Sequence, residues 1–354
     1  MDRRKFVRSS LLASGIAMLP SRTVNAKSIN RSDFGDKVIY PGKLSKGDTI
    51  GLIAPSSGVD RGTFERTLEH IDELGFKTFY SDRLRVQKGF LAGTDQIRAD
   101  DIQEMFSNKN IDGIMCVRGG YGSARLLDIL DYSVIKKNPK PLIGYSDITA
   151  LLYGIHKNTG LICFHGPVGV SSVTPFNKDI FEKELIEGNS NIVISRPQKW
   201  EEVENIAYKK ISISSGIASG KLVGGNLSVM MSLIGTPHDV DFSNKIVFIE
   251  EVHESPYRID RMLTQLLQTG KLDKAKGIAL GVFRGCDYEP DDKGYDTSLS
   301  LYEVLMDRLS VLKIPVVYGL PFGHIKENAV LPFGGLAELN SDECTLTLLE
   351  SPVL

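Results

Sequence analysis

Short apolar runs alternate with amphipathic stretches along most of the chain. Asp48 to Ala54, Lys77 to Tyr80, Ile111 to Val117, Pro141 to Ile143 and Leu161 to Phe164 have the length and composition of strands. Ile111 to Val117 is apolar enough to be buried on both faces. Between these runs, Phe64 to Leu74, Thr94 to Phe106, Ser123 to Leu130 and Ile148 to His156 carry apolar residues at helical spacing. Thr94 reads as a helix start and Gly75 as a helix stop. Such alternation predicts a parallel sheet covered by helices, with functional loops at the carboxyl ends of the strands.

The pattern breaks between residues 185 and 215, a polar stretch with Pro197, Trp200 and a run of serines from Ser212 to Ser215. Beyond it, Gly224-Gly225-Asn226-Leu227 opens a predicted helix to Leu233. Lys245 to Glu250 reads as a strand, Tyr257 to Gly270 as a helix, Lys276 to Phe283 as a strand and Leu299 to Leu312 as a helix. Val316 to Tyr318 is a further strand, and Val330 to Leu349 alternates like short β-strands around Gly334-Gly335. The expectation is an α/β chain of two domains, residues 27–190 and 216–354, joined by a junction at 191–215.

Composition narrows the class. The 354 residues are 42% hydrophobic and 24% charged, with a formal net charge of -2. That is enough to bury real cores, and it gives no pull toward nucleic acid or an anionic membrane. No apolar run is long enough to span a bilayer. Residues 1–26 differ from the rest: Arg3-Arg4-Lys5 precedes a short apolar segment, Leu11 to Leu19, and Val24-Asn25-Ala26 resembles a cleavage site. This reads as a twin-arginine export signal, with a mature chain starting near Lys27 and working in a periplasm. The alternative is a basic tail on a cytoplasmic protein. Cys116, Cys163, Cys286 and Cys344 are widely spaced with no C-x-x-C pattern, and read as buried thiols.

The loops after the strands carry the candidate chemistry. Ser146 stands on a sharp strand-to-helix turn after Gly144, which fits the first glycine of G-x-S-x-G; Ile148 occupies the place of the second. A serine there either caps the helix or acts as a nucleophile, and a nucleophile needs a base that is itself held by a third group. Among the six histidines, His165, His253 and His324 follow strands, and His324 sits in Gly319-Leu320-Pro321-Phe322-Gly323-His324, a turn rich in residues that fix the backbone. His70 and His156 fall within helices, and His238 in a turn. Glu250, at the exit of an apolar strand, is the better orienting acid than its neighbour Glu251. Oxyanion donors are expected from the amide of Asp147 and from the loop Arg118-Gly119-Gly120-Tyr121-Gly122, whose spacing does not match a dinucleotide fingerprint. A metal set of Glu250, Glu251, His253 and Glu254 would supply a single histidine and lacks H-E-x-x-H.

Eight segments in order carry a resemblance. They are Ile53 to Ser57, Val117 to Gly122, Ile143 to Thr149, His165 to Pro167, Gly224 to Leu227, Ile249 to Val252, Tyr257 to Leu263 and Gly319 to His324. The set resembles the LD-carboxypeptidases, the muramoyltetrapeptide carboxypeptidase family of serine peptidases, from about residue 45 to 350. The resemblance implies a flavodoxin-like or amidotransferase-like N-terminal domain carrying the nucleophile, and a C-terminal α/β domain supplying acid and base. It puts the family's serine, glutamate and histidine on Ser146, Glu250 and His324. It also implies a homodimer, no metal or organic cofactor, and removal of the terminal D-alanine from a murein tetrapeptide. Arg118 or a helix N-terminus near the site is the expected contact for the free carboxylate. Well-known members work in the cytoplasm in murein recycling, so the export reading is a departure. A microcin-immunity-like peptidase cleaving an acyl-sulfamoyl nucleotide and a non-catalytic murein-fragment binder are the competing readings. The first would need a stacking aromatic, and Trp200 is the only tryptophan.

Overall fold

The strands of the N-terminal half are β1 (Thr49–Ile53), β2 (Lys77–Phe79), β3 (Gly113–Cys116), β4 (Leu142–Ile143) and β5 (Cys163–His165). Those of the C-terminal half are β6 (Ile192–Ile194), β7 (Ile211–Ser214), β8 (Ile217–Asn226), β9 (Lys245–Glu250), β10 (Gly277–Leu280), β11 (Val316–Tyr318), β12 (Leu331–Phe333), β13 (Leu336–Asn340) and β14 (Thr345–Leu348). The chain is known from a computed structural model that describes residues 38–202, 208–289 and 291–354. The stretch read as an export signal, residues 1–26, lies outside the described residues.

Two sheets form. The first runs β12-β5-β4-β3-β1-β2, parallel except for β12. The second runs β6-β14-β13-β8-β9-β10-β11-β7, with a parallel centre from β8 to β11 and antiparallel edges. The parallel strands are buried along almost their whole length, as their unbroken apolar composition requires. No helix among the described residues is long and apolar enough to cross a membrane.

The helices are α1 (Arg61–Glu73), α2 (Asp95–Ser107), α3 (Tyr132–Lys137), α4 (Thr149–Thr159), α5 (Pro175–Phe181), α6 (Leu227–Leu233), α7 (Pro256–Gln268) and α8 (Leu301–Leu309). Helix α1 begins before the predicted Phe64, because the Asp60 carboxylate accepts from the amide of Thr63 and caps it. Thr94 caps α2 as expected. The helix predicted from Ser123 is only one 3-10 turn, Ser123–Leu126. The Ser123 amide and hydroxyl are both donated to Asp147, which diverts the chain from a helical ladder.

Residues 191–215 do not run as a bare connection. They supply β6 and β7, the two outermost strands of the second sheet. In return β12, from the C-terminal half, pairs with β5 in the first sheet. Edge strands need only one apolar face, so the polar composition that suggested a junction also suits an edge. Gly224 and Gly225 belong to β8 and not to the following helix, with φ of 145° and 144°. A Cβ on Gly224 would collide with the Phe248 backbone and one on Gly225 with Thr149, so both glycines permit close packing of β8.

All four cysteines are free and buried. Burial pushes the Cys116, Cys163 and Cys286 thiols far above their usual range, which leaves them inert.

Candidate active site

Ser146 leaves β4 with φ of 66°, a left-handed backbone at a residue with a Cβ. Such a conformation costs about 1–3 kcal/mol and persists only where the surroundings over-determine it. Here they do. A Cβ on Gly144 would stand 2.9 Å from the Ile148 side chain, so the chain turns tightly there. The next residue, Asp147, is buried; its carboxylate accepts from the Ser56 hydroxyl at 2.5 Å and the Ser123 amide at 2.8 Å. That side chain therefore locks the turn to the loops after β1 and β3. The Asp147 amide lies in the first turn of the short 3-10 segment Ser146–Ile148, where amides have no partner within the turn.

The glycine loop closes over the serine. A Cβ on Gly119 would lie 3.0 Å from Ser146 Cβ and 3.2 Å from its Oγ. Gly120 has φ of 122°, and a Cβ there would run into Ser57, whose hydroxyl accepts from the Tyr121 amide at 3.2 Å. The buried Arg98 guanidinium ties this loop to the one after β1. It donates to the carbonyls of Pro55 and Gly122, the latter at 2.9 Å, and pairs with Asp95 at 2.5 Å.

Glu250 is the last residue of β9, and His324 follows β11 by six positions. Their side chains meet Ser146 in one line. His324 Nε2 lies 3.0 Å from Ser146 Oγ, and His324 Nδ1 lies 2.6 Å from Glu250 Oε2. Gly323 makes the approach possible: its φ is 112°, and a Cβ there would stand 2.9 Å from Glu250 Cβ. The Tyr145 ring lies 4.8 Å from the His324 ring and walls it. With a carboxylate on Nδ1, the imidazole carries its proton there and turns the Nε2 lone pair to the serine hydroxyl. Burial pulls the His324 pKa down, but the charge of Glu250 and its hydrogen bond push it up by more, so it stands above the usual histidine value. Burial likewise pushes the Glu250 carboxyl up, and His324 outweighs that, holding it below the usual range.

Glu251, on the other face of the strand end, is used differently. It accepts from Asn226 Nδ2 at 2.9 Å, from the Ser228 amide at 2.8 Å and hydroxyl at 2.6 Å, and from the Val252 amide at 2.8 Å. It thereby caps α6, leaving no free oxygen for a metal. No cluster of three metal-ligating side chains occurs among the described residues. His70 and His156 bond to the carbonyls of Gly169 and Leu161, and His238 to Asp128. The exposed His253 packs its ring over Gly285. His165 is buried behind Glu250, its Nε2 3.9 Å from Oε1.

Two arginines flank the line. Arg118 is half-buried beside the glycine loop, 3.5 Å from the Gly58 carbonyl. Arg284 is exposed, with Nη1 3.5 Å from the carbonyl of His324, and its charge is a minor downward pull on His324 and Tyr145, both of which stand above their usual values. Sequence reasoning overlooked Arg284; its only signal was a lone cation directly after the predicted strand Lys276 to Phe283.

Comparison with known proteins gives the family of the chain. The profile described as the LD-carboxypeptidase N-terminal domain matches residues 50–166, and that of the LD-carboxypeptidase C-terminal domain matches residues 219–339. A probable murein peptide carboxypeptidase of Bacillus subtilis is 38% identical over 317 residues, spanning 87% of this chain and 93% of that protein. The microcin C7 self-immunity protein MccF of Escherichia coli is 32% identical over 333 residues, spanning 87% of this chain and 94% of that protein. The crystal structure of muramoyltetrapeptide carboxypeptidase from Oxalobacter formigenes superimposes with a TM-score of 0.71 at 30% identity, covering 84% of this chain and 97% of the other. With both domain profiles matched in order and relatives aligned over most of its length, the chain belongs to the LD-carboxypeptidase family and is a serine carboxypeptidase.

Proposed function

We propose that this enzyme removes the terminal D-alanine from murein tetrapeptides, with Ser146 as nucleophile, His324 as general base and acid, and Glu250 as the group that orients His324. The observation that carries the reading is the line Ser146 Oγ to His324 Nε2 at 3.0 Å and His324 Nδ1 to Glu250 Oε2 at 2.6 Å, in a chain with relatives named for murein peptide cleavage. Ser146 attacks the carbonyl of the diamino acid while His324 takes its proton. The amides of Asp147 and of the Gly119-Gly120 loop receive the oxyanion. His324 then gives its proton to the departing D-alanine amine, and water, activated by the same histidine, releases the tripeptide. Mass spectrometry of a murein tetrapeptide incubated with the protein tests this: loss of one alanine is expected, and an unchanged peptide would sink the substrate assignment.

Gly119 has to stay bare for this chemistry. Gly119→Val puts branched carbons where the attacked carbonyl must sit, and kcat/KM is expected to fall at least about 100-fold with the fold retained. Steady-state rates beside circular dichroism check it; an active valine variant would move the oxyanion site elsewhere.

A carboxypeptidase also has to hold a free carboxylate. Arg118 and Arg284 are the candidates, and Arg284 is the one whose charge His324 and Tyr145 feel. Arg284→Met should raise KM about 10- to 100-fold while kcat changes little, the size of one charged hydrogen bond. A KM rise confined to Arg118→Met would return that role to the glycine loop.

The reading of residues 1–26 as an export signal places the reaction in the periplasm, and the resemblance implies a homodimer; fractionation of cells making the full chain and light scattering of the purified protein test these two points. A nucleotide substrate, as in the microcin relative's solved complex with glutamyl sulfamoyl guanosine, would call for an exposed stacking ring. Trp200 is 3% exposed and donates Nε1 to Glu327 at 3.2 Å, so it presents no free face. Exposed rings do stand at Tyr121 and Tyr257, so the preference for a peptide rests on the relatives named for murein peptide cleavage.

A further inference from the structure

His165 ends β5 in the first sheet, next to β4, the strand that leads to Ser146. The ring is fully buried, and neither nitrogen bonds to another described residue, its own backbone giving only weak support. It lies edge-on to Phe248 at 5.2 Å and to Tyr145 at 6.0 Å. A phenylalanine would fill that aromatic slot with no unpaired polar atom. Leaving buried donors or acceptors unmade costs about 1–3 kcal/mol each, so the imidazole calls for a partner. One stands in front of it. Glu250 Oε1 is itself buried and unpartnered, and it faces His165 Nε2 at 3.9 Å. Asn226 gives the Glu250 charge weaker support, since its Nδ2 donates to Glu251 at 2.9 Å.

We propose that His165 is a positioning residue for the site: as a neutral ring it donates Nε2–H to Glu250 Oε1, so that the carboxylate keeps Oε2 turned to His324. Closing the gap to an ordinary hydrogen bond takes about 1 Å of movement, and hydrogen bonds of this kind commonly tighten when substrate binds. Burial keeps the ring neutral by pulling its pKa down to about 4, so it acts as a dipole and adds no charge next to His324. The inference rests on the Ser146–His324–Glu250 reading, and it adds a fourth member from the nucleophile's own sheet. His165 thereby links the strand ends that carry the serine and the acid.

The other charged and titratable groups coupled to the Glu250–His324 pair are Glu251, Arg284, Tyr145 and Cys286. Changing His165 alters none of them. Without its donor, the buried carboxylate is less well stabilised, and protonation of His324 beside it becomes more favourable.

The test uses the full chain with His165→Phe, which keeps the aromatic slot, and His165→Gln, whose Nε2 can still donate. The readouts are kcat and KM on murein tetrapeptide against pH, and the rate at which a fluorophosphonate labels Ser146. The labelling rate does not depend on the peptide assignment. Wild-type protein that fails to label would mean that the serine reading itself is wrong, whatever the His165 variants do. If the proposal holds, His165→Phe slows labelling and kcat about 10- to 100-fold with KM nearly unchanged. Its acid limb moves up by about half a pH unit, and His165→Gln recovers the rate to within about 3-fold. A wild-type rate in His165→Phe overturns the proposal. So do equal losses in both variants with an unmoved limb, which is the signature of packing alone. Should His165→Phe not fold, His165→Leu takes its place: a slowed rate with the raised limb, recovered in His165→Gln, supports the donor role, and a wild-type rate or an unmoved limb overturns it.

Discussion

Ser146→Ala leaves a folded protein whose turnover of murein tetrapeptide has dropped by roughly five orders of magnitude, about 7 kcal/mol of barrier. The hydroxyl oxygen is the atom that forms the acyl bond, and nothing else within reach of His324 Nε2 replaces it. The loss is not total. His324, still held by Glu250, and the amides of Asp147 and the glycine loop remain to activate water and receive an oxyanion. The backbone makes a second, opposite expectation. At φ of 66° alanine keeps the strain that serine carries, whereas glycine relieves it. Ser146→Gly is therefore expected to be as inactive as Ser146→Ala yet more stable than the native chain by about 1 kcal/mol. Tetrapeptide hydrolysis followed by mass spectrometry, beside thermal melts of the three proteins, checks both. Equal melting of Ser146→Gly and the native chain would mean that the turn stores no strain; an active Ser146→Ala would remove the serine from the mechanism.

The pieces of this arrangement differ in how plainly they can be read from residue order. The parallel strands are uniform apolar runs bounded by Gly and Ser loops, and a buried parallel strand has little choice but to look that way. Ser146 and Glu250 both stand at the exits of such runs, so their candidacy follows from local pattern. That Glu250 and not Glu251 faces His324 follows from strand alternation, since neighbours on a strand point to opposite faces; which face holds the histidine is set by packing between sheets, a long-range fact. The same limit hid β6 and β7. β7 alternates Ile and Ser, β6 is a bare three-residue apolar run, and an edge of either kind is defined only by its partner strands. The 3-10 turn at Ser123 was hidden because Asp147, 24 positions away, takes its amide and hydroxyl. Arg284 and His165 carried only the weak signal of following a strand. A cation after a strand and a histidine before Gly-Pro gain meaning only from what lies opposite them in space, the His324 carbonyl in one case and Glu250 in the other.

Glu250→Gln should reduce kcat about 1,000- to 10,000-fold with little change in KM, although it alters only one oxygen. In the native site the carboxylate can only accept at 2.6 Å, so it holds the His324 proton on Nδ1 and leaves the Nε2 lone pair for Ser146. The glutamine side chain can turn its NH2 to Nδ1. The imidazole then carries its proton on Nε2, facing a hydroxyl from which it can no longer take one. The pH profile separates this from simple loss of packing. His324 works as a base only when neutral, so the native kcat/KM falls as pH drops through its pKa, which Glu250 holds above the usual value against the effect of burial. Removing the charge leaves burial as the dominant influence, and burial favours the neutral ring. The acid limb of the Glu250→Gln enzyme therefore moves to lower pH while its plateau is far below native. A variant that is slow with an unmoved limb would show that Glu250 does not set the protonation of His324. A limb shifted to higher pH would place a different anion beside that ring.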